Sequence, residues 1–527
     1  MERRVRGRRP VRRRRQLAAL VVCATTLAFV DTGALGSDSQ RQGGIFRVAL
    51  AGVDYLDPAL AYGFDSWSLL DTTCARLMTY PDKPLPEGLR VVPEVAAAFP
   101  RISRNGKTYA FTLRRGFRFS DGTPVRASAF ARAINRTLAK GIESGALQYT
   151  GDIVGAADVR AGRTAAAAGV TARGNTLVVQ FTRPVVDFAA KTTMPFFCAV
   201  PPELPSDPEG VRVFPSAGPY VVTEYRPGER VTIRRNRFYR GTRPHHVDGF
   251  DIELRSAGPA EVLDRVERGD ADWGGALGSI YFEPGRRLAA KYGVNRSQFF
   301  VRPGLTLWHI VFNSARPLFR DNAPLRRAVS YALNRRALAR ITSNTPLSYR
   351  LTDQYLPPSL PGFTDADIYP LERPNLERAR ALARGNLRGE KAVLYVNNAA
   401  QPLAVAQATK QQLAEIGLDV ELKPLPFAAL LSGIYAAGEP WDLVLIAWAP
   451  DFVDPFTYIN GLFDAQFTNV GNVGRFDSGK FNRLMRQAAR LRGPERYRAY
   501  GELDVRLARE AAPSAPISYF TAPTLVS

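Results

Sequence analysis

Residues Leu443-Val444-Leu445-Ile446-Ala447-Trp448-Ala449 form an apolar run with no polar alternation. A strand wetted on one face alternates apolar and polar side chains, so an unbroken run predicts a strand covered on both faces, as in a sheet flanked by helices. The run stops at Pro450-Asp451. That places a carboxylate at the strand's carboxyl end, between Trp448 and Phe452, where open α/β sheets put their ligand crevice. Asp451 is therefore the leading candidate for a ligand contact; the alternative is an Asp that only opens the following turn.

The segments before this run repeat one theme. Val393 to Val396 reads as a strand, Leu403 to Ile416 as a helix closed by Gly417, Val420 to Leu422 as a strand, and Phe427 to Ala437 as a helix closed by Gly438. Strands alternating with helices build parallel crossovers, hence an α/β lobe. Upstream, Leu325, Ala328, Val329, Ala332 and Leu333 recur at helical spacing after Asn322-Ala323-Pro324, a helix start with Pro near the first position. Residues 45 to 255 differ. Gly44 to Leu50 reads as a first strand, and Tyr109, Phe111 and Leu113 alternate, turn at Arg115-Gly116 and continue through Phe117 and Phe119 as a hairpin. Phe130 to Leu138 has helical spacing, 155 to 169 reads as a surface loop, and strands follow near 177–181, 218–222, 231–236 and 251–254. With 527 residues the chain exceeds one ordinary domain, so two lobes of different character are expected.

Charge excludes less than it first suggests. The net charge is +22, yet only nine of 71 basic residues are Lys, and nine Arg crowd the first fifteen positions. Residues 1–36 set those nine Arg against Glu2 and Asp31, leaving +15 spread over the rest with no concentrated patch, so nucleic-acid binding is not expected. Arg3 to Arg15 followed by the apolar stretch Leu17 to Val30 has the layout of a secretory signal, and the stretch is short for a membrane span. Ala34-Leu35-Gly36 offers a cleavage site before Ser37, Leu20-Val21-Val22-Cys23 resembles a lipidation site at Cys23, and Arg14-Arg15 would suit twin-arginine export.

Catalytic and metal signatures are missing. The sequence carries no HExxH, phosphate loop, dinucleotide fingerprint or GxSxG elbow. Of three His, the adjacent His245 and His246 point to opposite faces in extended chain and His309 stands alone, so neither a metal nor a cofactor is expected. Asp451 and Asp454 could imitate a catalytic carboxylate pair, but Pro450 and Pro455 bracket them as a turn, which favours ligand contact plus turn capping over an enzyme.

Several stretches, taken in order, carry a family likeness. They are Arg104-Asn105-Gly106-Lys107-Thr108-Tyr109-Ala110-Phe111-Thr112-Leu113-Arg114, Phe119-Ser120-Asp121-Gly122-Thr123-Pro124-Val125, Ala217-Gly218-Pro219-Tyr220, Gly269-Asp270-Ala271-Asp272-Trp273, Leu325-Arg326-Arg327-Ala328-Val329-Ser330-Tyr331-Ala332-Leu333 and Trp448-Ala449-Pro450-Asp451-Phe452-Val453-Asp454-Pro455. The chain resembles the extracellular solute-binding proteins of family 5, the oligopeptide, dipeptide and nickel receptors of ABC importers, over roughly residues 43 to 520.

The resemblance implies an α/β, bilobal periplasmic-binding-protein-like fold of type II, in the three-domain peptide-receptor variant, with a ligand cleft between lobes. After a signal peptide at 1–36, it implies a first domain from 43–74, 199–299 and 505–527, a second from 75–198 and a third from 300–504. In the peptide receptors the Asp matching Asp451 pairs with the ligand's α-ammonium, and extended segments from both lobes grip its backbone. The matching segments are Tyr62-Gly63-Phe64 and Ala447-Trp448-Ala449, with Trp448, Phe452, Tyr62 and Phe64 as apolar walls; Trp308 and Trp273 are weaker candidates. Departures exist: some receptors carry an acidic residue where this chain has Tyr62, and the usual Tyr after the key Asp is Phe452. The same pattern places Cys74 and Cys198 where the chain crosses between its first two domains, which implies a disulfide in an exported protein. The implied role is a secreted or lipid-anchored, monomeric receptor that passes a peptide to ABC permease subunits, touching the membrane only through its anchor. A non-peptide solute such as a glycoside, opine or metal chelate, and a secreted hydrolase, are the alternatives.

Overall fold

The computed structural model describes residues 42–50, 52–254, 259–274, 284–342, 346–389, 391–468 and 471–527. The expected signal, with Cys23 and Ser37, lies outside them. The first lobe rests on a five-stranded sheet in the order Trp273–Gly274, Ile45–Ala49, Gly249–Glu253, Arg230–Arg235, Tyr220–Arg226. The three strands from 220 to 253 form an antiparallel meander, and Ile45–Ala49 joins it in parallel. Beside it, an antiparallel sheet of Arg101–Ile102, Thr108–Thr112, Thr176–Gln180 and Val170–Arg173 carries the helix Ala127–Leu138. Tyr109, Phe111, Leu177 and Val179 face Phe130 and Ile134 across that layer, all within 1% of full burial.

The expected hairpin of 109–119 does not form. Thr108–Thr112 pairs instead with Thr176–Gln180, more than sixty residues away, while Phe117 and Phe119 enter the same core from irregular backbone. Alternating aromatics mark burial here, not pairing. The Gly/Ala-rich stretch 155–169 is likewise not all loop, since it holds the helix Ala156–Arg160.

The second lobe is built on six strands in the order Tyr349–Leu351, Ser514–Leu525, Phe299–Phe312, Leu443–Trp448, Ala392–Asn397, Val420–Leu425. The expected βαβαβ series is present: 392–397 lies parallel to both 420–425 and 443–448, with the helices Ala400–Ala414 and Phe427–Tyr435 between. Gly417 and Gly438 both take φ of +82° as those helices end, a conformation that only glycine adopts without strain. The helix Ala323–Ala332 starts where Asn322 accepts the Leu325 N–H at 3.3 Å and buries Leu325, Ala328, Val329 and Ala332 against the sheet. Each large apolar side chain so buried contributes about 1.5–3 kcal/mol.

Two long strands join the lobes. At one end Phe299 and Leu525 lie in a first-lobe core with Ala49, Val262 and Leu288; at the other, Ile310, Phe312, Ala515 and Ile517 lie in the second-lobe core. Their register shifts between Pro303 and Leu307, where a side chain on Gly304 would collide with the Phe520 carbonyl oxygen. Such an irregularity in a two-stranded crossing is where a hinge bends. The carboxyl-terminal strand pairs with Phe299–Phe312 and Tyr349–Leu351, and at its end Val526 lies opposite Trp273 of the first sheet.

Candidate functional site

The strand Leu443–Trp448 behaves as two halves. Leu443, Val444 and Leu445 are buried on both faces, as the apolar run predicts; Ile446 and Trp448 are half-buried, and Ala447 and Ala449 are exposed. The covered strand of the sequence reading therefore ends at Leu445. One edge stays paired throughout, from Phe312 opposite Leu443 to Leu307 opposite Trp448. On the other edge, 392–397 meets only Leu443 and Val444, so among the described residues the backbone from Leu445 to Trp448 has no strand partner there. An exposed edge of unpaired N–H and C=O groups accepts an added extended chain.

Asp451 stands just beyond that edge, half-buried at the junction of the lobes. Tyr62 of the first lobe donates its hydroxyl to both carboxylate oxygens, at 3.1 and 3.0 Å, and Tyr149 donates to Oδ2. Burial first, then the neighbouring Asp451 charge, pushes the Tyr62 phenol up to about 12, and the same causes push Tyr149 higher still. Both phenols therefore keep their protons and act as donors. Their rings are fixed from behind. Phe196 stacks on Tyr62 at 6.0 Å and meets Trp67 edge-on at 5.5 Å, while Trp67 Nε1 donates to the Ala61 carbonyl at 2.8 Å. A disulfide joins Cys74, which caps the helix Phe64–Thr73, to Cys198, which ends the turn holding Phe196, with Cα atoms 5.3 Å apart. The two crossing segments do lie side by side, as the expected pairing required, with Ala199 N–H donating to the Ala75 carbonyl at 2.8 Å.

Two expected roles change. Phe452 does not wall the cleft: it is 5% exposed and sits in the first-lobe core with Phe196 and Phe197, edge-on to Tyr149 at 6.2 Å. Its neighbour Val453 is held by Tyr80, whose hydroxyl accepts the Val453 N–H at 2.7 Å and donates to its carbonyl at 3.2 Å. Residues 451–453 thus latch one lobe to the other. Tyr62-Gly63-Phe64 is not an extended edge either. Gly63 precedes the helix at Phe64, and the N–H groups of Tyr62 and Gly63 both donate to Asp54 Oδ2 at 2.7 Å. Neither is available to a ligand backbone, and the Tyr62 and Phe64 side chains, 47% and 67% exposed, are what the segment offers.

Trp448 packs against the second-lobe core beside Gly461 and Gly471, and its buried Nε1 has no hydrogen-bond partner among the described residues. Asp454, the second carboxylate of the turn, accepts the Phe456 N–H at 2.8 Å and pairs with buried Arg496 at 2.6 Å, so it caps and braces a helix and takes no part beside Asp451. Trp308 is a core residue at 7% exposure, and Trp273 packs beside the first-lobe core. His309 is wholly buried, and that burial pushes its imidazole down to about 3. Sequence reasoning missed Tyr149 and Tyr80, which lie 302 and 373 positions from their partners and carry no local signal.

The sequence profile described as bacterial extracellular solute-binding proteins, family 5 Middle, matches residues 90–469. Among curated proteins, the chain is 23% identical to the probable D,D-dipeptide-binding periplasmic protein DdpA of Escherichia coli (strain K12), over 82% of this chain and 80% of that one. It is likewise 23% identical to the oligopeptide-binding protein OppA of Bacillus subtilis (strain 168), over 73% and 72%. Among solved structures, the clavulanic acid biosynthesis oligopeptide binding protein 2 superimposes with a TM-score of 0.79 at 27% identity, covering 93% of this chain and 92% of that one. The unliganded open form of the murein tripeptide binding protein MppA gives 0.75 at 21% identity, covering 93% of each, a likeness of fold.

Proposed function

We propose, for a chain that belongs to the bacterial extracellular solute-binding proteins of family 5, that it is the receptor of an ABC importer and that its solute is a peptide taken by its free amino end. The family consists of binding proteins, and its bilobal fold works by closure around a guest without covalent chemistry. The observation that carries the peptide reading is a coincidence of two features. An unpaired strand edge at Leu445–Trp448 suits an extended backbone, and it leads directly to the Asp451 carboxylate, which suits an ammonium group.

In this reading the ligand's ammonium meets Asp451 while Tyr62 and Tyr149 hold the carboxylate in place. Closure strips water from the pair, and a Coulomb attraction of about 1 kcal/mol in water rises to about 4 kcal/mol at the effective dielectric of a protein surface. Ala447 and Ala449 leave room beside the backbone edge, so side-chain identity of the guest is read weakly there. The bound, closed form then docks on the permease's membrane subunits, with the receptor secreted or tethered through Cys23.

Support also comes from the relatives, whose names speak of dipeptides and oligopeptides. The test is Asp451→Asn, which keeps shape and removes charge. A hydrogen bond to a charged group is worth about 1.5–3 kcal/mol, so calorimetry with a tripeptide pool should read an affinity about 10- to 150-fold weaker. Unchanged affinity would remove Asp451 from the site.

A further inference from the structure

A cavity of about 1650 Å³ is lined in part by Asp454 of the 451–455 turn. One wall comes from residues 86–109 and 184–190 of the first lobe, the other from 358–364 and 489–506 of the second. Asp451, Tyr62, Tyr149 and Trp448 do not line it, whereas Asp454, clamped by Arg496 at 2.6 Å, does.

Its lining is cationic and apolar at once. Arg90 and Arg104 approach from the first lobe, Arg490, Arg492 and Arg498 from the second, and these five have no ion pair among the described residues. The carboxylates nearby are largely spoken for: Asp454 by Arg496, and Asp187 by Lys191 at 2.9 Å, which leaves Glu502. The two walls come close. Burial pushes the Tyr109 phenol of the first lobe up, and Arg492 and Arg496 from the opposite wall pull against that shift. The same lining holds Ile102, Pro361 and Phe363, together with Phe99 and Leu491, large apolar side chains that are 56% and 37% exposed.

Both lobes thus contribute arginines without ion pairs to one space whose lining is also apolar, an arrangement complementary to an anion. We propose that this cavity binds a small amphipathic anion, a carboxylate on a hydrocarbon body, and that its occupant favours the closed arrangement of the lobes. Arginine presents a planar, weakly hydrated fork suited to a carboxylate, and the exposed apolar rim gains by covering a hydrocarbon chain. A ligand that binds the closed form better shifts the balance toward it, so the occupant should also tighten peptide binding. That coupling rests on the peptide reading; the anion site itself does not.

Calorimetry on the full chain tests it, with sodium decanoate as probe, octyl glucoside below its micelle concentration as the apolar control, and inorganic phosphate as the charge control. Saturable decanoate binding that neither control reproduces is expected, weakening at least tenfold in an Arg490→Gln, Arg492→Gln double variant. Both arginines are exposed and unpaired among the described residues, so the double variant should fold normally. Absence of decanoate binding, equal affinity in the double variant, or octyl glucoside binding as tightly as decanoate would overturn the site. Failure of peptides to bind the unmodified protein would strike only the peptide reading.

Discussion

Phe452→Ala isolates the energy of lobe closure. The Phe452 side chain belongs to a turn of the second lobe yet is buried to 5% in the core of the first, against Tyr149 and the Phe196-Phe197 pair. On the proposed closure mechanism, parting the lobes draws that ring from its pocket, so its burial is assigned to the closed form. Burying a Phe contributes about 1.5–3 kcal/mol, and the cavity left by truncation raises the loss toward the 3–5 kcal/mol of Phe→Ala in cores. About 2–4 kcal/mol is a fair expectation at a junction that can partly collapse, a roughly 30- to 1000-fold shift from closed to open. Peptide affinity should fall by a comparable factor, because apparent affinity scales with the competent fraction. Calorimetry measures that loss, and small-angle scattering of the peptide-saturated variant should still reach the closed radius of gyration. Peptide affinity within a factor of three of the unmodified protein would refute the reasoning, since Phe452 would then contribute nothing to closure.

Removing the disulfide with Cys74→Ser and Cys198→Ser should lower unfolding stability by about 2–5 kcal/mol, read as an earlier urea midpoint, because the bond closes a stretch with sequence separation of 124; two alkylatable thiols in the native, unreduced protein would contradict the bond. Asp504 is wholly buried, and burial pushes its carboxyl up to about 7 although it accepts the Tyr355 N–H at 2.8 Å and the Gln354 amide at 3.0 Å. Because the folded form holds that proton more tightly than the unfolded one, its contribution is complete below about pH 4 and fades as pH rises through about 7. Asp504→Asn should therefore flatten the fall in urea midpoint between pH 5 and 7.5; an identical slope in the variant would assign the pH dependence elsewhere.

The second lobe was legible where its strands are covered. Continuous apolar runs at 393–396 and 443–445, with Gly417 and Gly438 closing the helices between, carry both period and boundary in a few residues. The first lobe was less so, because its pairings are remote: Thr108–Thr112 finds Thr176–Gln180, and no local pattern announces a partner that distant. The crossing strands 299–312 and 514–525 went unread because Pro303, Gly304, Pro516 and Pro523 interrupt them, although such residues suit a bent, irregular pair. At the site, the strand end and Asp451 could be read from chain order alone, whereas the phenols that hold Asp451 arrive by tertiary folding. Phe452 was misjudged for a related reason: an aromatic beside a ligand carboxylate looks like a cleft wall until the opposite lobe is seen to contain it.

The central claim is that Asp451 captures a positively charged amino end. It is tested most directly by one calorimetric comparison on the unmodified protein, a tripeptide with a free amino terminus against the same tripeptide N-acetylated. Acetylation removes the ammonium and leaves the backbone able to add to the Leu445–Trp448 edge. The account predicts that the acetylated peptide binds at least tenfold more weakly; equal affinity for the two would contradict it.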